Sequence, residues 1–235
     1  MFHKFCHIVL MMGITGLAVL AVWPYHDGAL RYGLPLSLAA TWGSGLIFLW
    51  GRRSWRIGLL GLPMVMLMPF CLPAKPADPQ KIKACYLTAM AGMMETPYLW
   101  GGETRRGIDC SGLPRRALRD ALWEDGCLNG NGASFREWSR QWWFDTSAKA
   151  LGQSYRGFTR PLGLVGKLRE LEVGKISPGD LAVTVDGRHV MVYFGEGRWI
   201  QSDPLAAKVT VGLAQQDKNP WFDAMVTMHR WVILE

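Results

Sequence analysis

The sequence predicts an α+β domain, helices first and an antiparallel β-meander after them, preceded by three transmembrane helices. Three observations carry this reading. Charged residues are absent from three long stretches near the N-terminus. A segment rich in helix breakers follows them, Ala-Lys-Pro-Ala-Asp-Pro at 74–79. Beyond Pro178 the pattern turns into short β-branched runs separated by turn signals, and helices followed by strands are the mark of an α+β domain.

The charge-free stretches are residues 5–26, 32–51 and 57–74, of 22, 20 and 18 residues. A spanning helix needs about 20 mainly apolar residues. Spans are expected at about 5–25, 33–50 and 57–73, the third being short and carrying Pro63 and Pro69. A soluble core would have to hide three helices with no polar face, so lipid is the better solvent for them. Ala-Val-Trp-Pro at 21–24 is a poor cleavage site, which favours a retained span over a signal peptide. The loop at 51–56, Gly-Arg-Arg-Ser-Trp-Arg, holds three positive charges, whereas Arg31 in the loop at 24–33 is offset by Asp27. The positive-inside rule places the Arg-rich loop and the N-terminus with Lys4 in the cytoplasm, and the C-terminal region outside. Trp23, Trp42, Trp50 and Trp55 include several suited to interfacial anchoring. The expected organisation is a membrane anchor at 1–74, a linker at 75–79 and an outer domain at 80–235.

Hydrophobic residues make up 49% of the chain and charged residues 19%. Residues 1–73 carry five basic side chains and one acid; the remainder carries the other 21 basic and 18 acidic ones, without a clustered basic patch. A nucleic-acid surface is therefore not expected. The five cysteines contain no CxxC and the chain has five histidines, so no zinc pattern and no metal or organic cofactor is expected. Cys6 and Cys71 lie in or beside apolar runs. Cys85 and Cys127 read as small buried thiols, with a disulfide between them as the alternative.

Within the outer domain, Asp78 followed by Pro79 is an N-cap with proline at the first helical position, and a helix should run to about Met94. Strands are expected at 180–185, 189–194 and 198–202, joined by the turns Asp186-Gly187 and Gly195-Glu196-Gly197, with further strands at 208–211 and 225–234. Between the first helix and these strands lies the segment with the most chemistry, residues 97–113: Pro-Tyr-Leu-Trp-Gly-Gly-Glu-Thr-Arg-Arg-Gly-Ile-Asp-Cys-Ser-Gly-Leu. Gly101, Gly102 and Gly107 permit tight turns and close backbone approach. The residues after Cys110 suit a helix with Pro114 in its first turn, which puts Cys110 at a helix N-terminus. There the unpaired N–H groups favour an anion, lower a thiol pKa and can hold a developing oxyanion.

His189 opens the second strand directly after a turn, where an imidazole can take a thiol proton. His229 is its only competitor in the outer domain and has no accompanying motif. Gln201, twelve residues on, would lie beside His189 across the hairpin and accept from its second ring nitrogen, with Asp203 as the rival orienter.

Tyr98 through Leu113, Pro-Gly-Asp-Leu at 178–181 and the run from His189 to Gln201 resemble the NlpC-type cell-wall cysteine peptidases, a papain-like group. The resemblance implies a papain-like fold with Cys110 as nucleophile, His189 as base and Gln201 as orienter. It implies that Tyr98, Asp109 and Ser111 line the substrate pocket. Its implied substrate is the peptide of peptidoglycan, often at a γ-D-glutamyl–diaminopimelate bond. The family usually has histidine where Gln201 stands; an amide serves in papain-like enzymes generally. Thiol amidase or acyl-transfer chemistry, or a weakly catalytic wall-binding scaffold, are the alternatives. The stretch between Cys110 and Pro178 is longer than the resemblance leads one to expect. It holds Trp138, Trp142 and Trp143; Trp138 and Trp142, four apart, read as one core-packing helix face rather than part of a substrate groove. Arg115, Arg116 and Arg119 read as a solvated basic face.

Overall fold

A computed structural model describes residues 2–144 and 146–235. The chain divides into two compact units, Met1–Pro73 and Ala74–Glu235.

The first unit is three helices, α1 (Phe2–Val22), α2 (Gly28–Leu49) and α3 (Arg53–Cys71), each with a segment long and apolar enough to cross a membrane. Helix α2 begins at Gly28 rather than at 33 because the Asp27 carboxylate accepts from the Leu30 N–H and caps it. Small residues let α1 and α2 approach closely: a Cβ on Gly13 would lie 2.9 Å from the Thr41 backbone nitrogen. Pro63 lacks the N–H that would have bonded the carbonyl four residues earlier, that of Leu59. The Trp42 indole on α2 donates to that carbonyl at 2.8 Å. The carbonyl that Pro63 leaves without its helical partner is thus satisfied by a neighbouring helix.

The second unit opens on α4 (Pro79–Ala91), where Asp78 accepts from the N–H groups of Gln80 and Lys81 and Pro79 occupies the first turn. The helix stops short of Met94 because the chain turns there, with Glu95 in the left-handed region at φ 66°. A small hairpin, β1 (Glu103–Thr104) and β2 (Gly107–Ile108), leads into α5 (Gly112–Asn129), followed by α6 (Gly132–Trp143) and the short α7 (Ala148–Gly152). The remaining strands are β3 (Thr159–Lys167), β4 (Leu181–Thr184), β5 (Val190–Gly195), β6 (Arg198–Asp203), β7 (Lys208–Leu213) and β8 (Met225–Trp231). They form one six-stranded antiparallel sheet in the order β3-β8-β4-β5-β6-β7. This is the expected α+β architecture, with the central meander β4-β5-β6-β7 at its heart.

Alternation along the strands builds two cores. Leu181, Val183, Val190 and Val192 face α4 and α5, packing with Tyr86, Met90, Leu113 and Leu118. Ala182, Met191 and Tyr193 face the other way, onto Trp199, Phe222 and Met228. The buried Trp231 indole donates to the Tyr86 hydroxyl at 3.0 Å, tying the last strand to the first helix of the unit.

Several features depart from the sequence reading. Strand β3 was not anticipated: Pro161, Gly163 and Gly166 interrupt its pattern, and its register with β8 breaks between Pro161 and Val165. It lies at the sheet edge, where proline and a bulge are tolerated. Arg115 and Arg119 are not solvated. They are buried against the Glu103 carboxylate, at 3.5 Å and 2.8 Å, and only Arg116, paired with Asp120, lies on a water-facing side of α5. The sequence pattern hid this because Glu103 comes from a different element. Cys127 is exposed rather than buried, Cys85 is half-buried, and both are free thiols. Trp138 packs on the core as expected, whereas Trp142 pairs with Trp143, which is exposed.

Candidate active site

Two backbone constructions meet at the site. The first carries the cysteine. Asp109 turns its carboxylate back on its own loop: Oδ2 accepts from the Gly101 N–H at 2.9 Å, and Oδ1 accepts from the Gly112 N–H at 2.6 Å and the Ser111 hydroxyl at 3.0 Å. One side chain thereby caps the start of α5 and clamps the glycine-rich loop against it. The glycines are required by contact. A Cβ on Gly102 would sit 2.6 Å from the Gly107 carbonyl oxygen, and one on Gly107 would run into the Leu99 side chain. Cys110, nearly buried, sits directly before this helix start.

The second construction carries the histidine. In the turn between β4 and β5, the Thr184 hydroxyl accepts from the N–H groups of Arg188 (3.1 Å) and His189 (3.0 Å) and donates to Asp186 at 2.7 Å. Gly187 takes φ +71°, and a Cβ there would be 2.6 Å from the Lys149 Cβ, so α7 packs directly on this turn. The two constructions are joined by Ser202 on β6, whose hydroxyl donates to the Ile108 carbonyl at 2.7 Å, two residues before Cys110.

The result is a cleft of about 630 Å³ whose walls include Tyr98, Asp109, Cys110, Ser111, Arg188 and His189. The Cys110 thiol contacts the Arg188 carbonyl at 3.8 Å, and the Val190 N–H also faces the sulfur, so the sulfur lies against the backbone on both sides of His189. The His189 Nε2 is 2.6 Å from the Gln201 Oε1, across the β5–β6 pair. An amide oxygen only accepts, so Nε2 carries the proton and Nδ1 is the ring nitrogen left to act as a base. Asp203 is occupied elsewhere, accepting from the Leu205 N–H at 2.8 Å and the Asn219 amide at 2.6 Å. His229 does not belong to the cleft walls; it is buried in β8 with Nε2 2.9 Å from the Thr227 hydroxyl.

Electrostatics at rest favour neutral partners. Burial, with the Asp109 carboxylate adding to it, pushes the Cys110 thiol up to about 12, against the N–H groups of Val190, Ser111 and Cys110 itself. The helix N-terminus was expected to lower this value; desolvation outweighs it. Burial likewise holds the His189 imidazole down at about 4, with Gln201 and Asp203 opposing. Tyr98 is pushed up to about 12, by burial first and then by Cys110 and Asp109. A thiol and an imidazole that are both neutral can exchange a proton as an electrophile arrives, without a standing ion pair.

Two contributors had no sequence signal. Trp221, from the connection between β7 and β8, stacks on His189 with ring centroids 4.2 Å apart and 17° between planes. Ser147 and Ala148, from the long stretch between α5 and β3, form part of the cleft wall. Among the described residues no group of three or more His, Cys, Asp or Glu is placed to hold a metal ion.

A cysteine at the head of a helix, lining one cleft with a histidine on an antiparallel sheet, defines the papain-like class of α+β domains. The chain belongs to the NlpC/P60 family, whose pattern matches residues 95–230. The C-terminal unit is thus a papain-like NlpC/P60 domain of the peptidoglycan-hydrolase-like type. No curated protein sequence matches the chain. Among solved structures it is similar to the P60 domain of an antigen from M. avium subspecies paratuberculosis, with 20% identity over 67% of this chain and 98% of that one, and a TM-score of 0.41. It is similar to the peptidoglycan hydrolase RipB from Mycobacterium tuberculosis, with 19% identity over 86% and 89% of the two chains and a TM-score of 0.42. An NlpC/P60 family protein from Bacillus cereus matches at 15% identity and a TM-score of 0.42, over 68% of this chain and 42% of that one, so this chain spans less than half its length.

Proposed function

We propose that this protein is a membrane-anchored cysteine peptidase that hydrolyses amide bonds in peptidoglycan stem peptides, with the γ-D-glutamyl–diaminopimelate bond as the leading candidate. The observation that carries the reading is the 2.6 Å contact between His189 Nε2 and Gln201 Oε1. It assigns the proton to Nε2 and leaves Nδ1 as the base for a thiol lining the same cleft. The Cys110 sulfur attacks the scissile carbonyl carbon as its proton passes to Nδ1. The tetrahedral oxyanion is held by the Cys110 backbone N–H and by donors of the Tyr98 region. Collapse breaks the C–N bond, and His189 returns the proton to the departing amine. Water, losing a proton to the same nitrogen, then cleaves the thioester and restores the thiol. Tyr98, Asp109 and Ser111 border the substrate, and the chemistry needs no metal or organic cofactor.

The three apolar helices and the Arg-rich loop at 51–56 support a multi-pass anchor in the cytoplasmic membrane. With the N-terminus inside, the peptidase domain lies on the extracytoplasmic side, confined to wall near the bilayer. The test is digestion of purified sacculi by the full chain in detergent, with new termini identified by mass spectrometry. New γ-D-glutamyl termini that vanish in Cys110→Ala are the expected result. No new termini, or termini that persist in Cys110→Ala, would sink the proposal; acyl-transfer products would redirect it to a transferase.

A further inference from the structure

The β7–β8 connection has no part in the chemistry described so far, yet it covers the base. Trp221 lines the cleft and lies almost parallel to the His189 ring, at 4.2 Å. The indole Nε1 is buried without a hydrogen-bond partner. The ring is therefore held by its backbone and by stacking, not by a bond of its own. Its backbone is tethered: the Trp221 N–H donates to the Asn219 side-chain oxygen at 3.0 Å, and the Asn219 amide donates to Asp203 Oδ2 at 2.6 Å. Asp203 stands two residues beyond Gln201 on β6, so one strand supplies both the partner of the imidazole and the anchor of its cover.

We propose that Trp221 is a positioning residue, a roof tethered through Asn219 to Asp203 that keeps water from the His189–Gln201 contact and holds the imidazole in plane and neutral. The inference rests on the reading of His189 as the base. An apolar ring over one face of an imidazole removes the water that would solvate its charged form, which lowers the pKa. The charged and titratable groups that face His189 are Cys110, Asp203 and Asp186, with the exposed Arg188 adjacent in sequence. Of these only the two carboxylates raise the imidazole pKa, so desolvation must outweigh them to keep the base neutral in mild acid. The roof is the neighbour placed to supply it.

The test uses the full chain in lipid nanodiscs, labelled with nitrogen-15 at histidine, the His189 signal being identified by its loss in His189→Gln. Imidazole titration is followed in the wild type, Trp221→Ala, Trp221→Phe and Asn219→Ala. The wild-type midpoint should lie near 4. Trp221→Ala should move it toward the ordinary 6.5, Trp221→Phe should keep it low, and Asn219→Ala should fall between. On a stem-peptide substrate, Trp221→Ala should lose kcat/KM at both pH values, and about tenfold more at pH 5 than at pH 7.5, since only the neutral base is competent. An unmoved midpoint in folded Trp221→Ala overturns the proposal. If that variant does not fold, an unmoved midpoint in Asn219→Ala does. The titration needs no turnover, so a wild type that shows these shifts without hydrolysing anything refutes the peptidase reading and leaves the roof standing.

Discussion

Glu103→Gln removes the carboxylate that pairs with two buried guanidinium groups, those of Arg115 and Arg119. In the folded unit the side chains of Glu103, Arg115 and Arg119 are 2%, 3% and 6% exposed, with Arg–Glu separations of 3.5 Å and 2.8 Å. Removing one member of a buried ion cluster costs about 3–5 kcal/mol, because the remaining charge stays desolvated. Asp120→Ala is the control on the same helix. It breaks the half-exposed Arg116–Asp120 pair, whose side chains are 37% and 38% exposed, and an exposed pair contributes about 1 kcal/mol or less. For a domain of this size each kcal/mol moves Tm by about 2–4 °C, so Glu103→Gln should lower it by roughly 10 °C and Asp120→Ala by about 4 °C at most. The assay is thermal unfolding of the full chain in detergent, followed by near-ultraviolet circular dichroism, which reports the packed tryptophans. Because Glu103 sits in β1 and both arginines in α5, the same change should loosen the segment holding Cys110 and reduce hydrolysis before global unfolding. Equal small shifts for the two variants would refute the reasoning: the buried cluster would then contribute no more than a surface pair.

Three more expectations follow from the geometry. Because the folded His189 imidazole sits near 4 against an ordinary 6.5, the unfolded chain binds a proton between those values that the folded chain does not; stability should therefore fall as pH drops from 6.5 to 4, and His189→Gln should flatten that part of a Tm-versus-pH curve. Gly102→Ala places a Cβ 2.6 Å from the Gly107 carbonyl oxygen and 2.9 Å from that of Leu99, backbone atoms that cannot swing aside, so it should cost roughly 1–3 kcal/mol and most of the activity in a sacculus assay, whereas Gly43→Ala, with nothing within 4 Å, should be silent. Trp42→Phe leaves the Leu59 carbonyl unpaired beside Pro63 and should destabilise the helical unit by roughly 1 kcal/mol in detergent-induced unfolding; Pro63→Ala, which restores an N–H, should cancel most of that loss.

Local chemistry made much of this protein legible in one dimension. Charge-free runs long enough to cross a bilayer need no tertiary information, because lipid acts on each segment separately. The N-cap at Asp78 and Pro79, the turn at Asp186-Gly187, and the β5–β6 hairpin that brings Gln201 beside His189 involve residues near in sequence, so spacing alone specified them. The glycine-rich approach to Cys110 was equally visible, since Gly102 and Gly107 answer steric demands within their own loop. Tertiary structure decided what depends on residues far apart in the chain. Only folding brings Glu103 beneath Arg115 and Arg119, turning an apparently solvated face into a buried ion cluster. Only the sheet order places β3 at an edge where Pro161 is tolerated. Whether the helix terminus or burial governs the Cys110 thiol depends on how much water the whole domain excludes, and burial prevails. Trp221 reaches His189 from another part of the sheet, and no periodicity in the sequence records an indole lying on an imidazole.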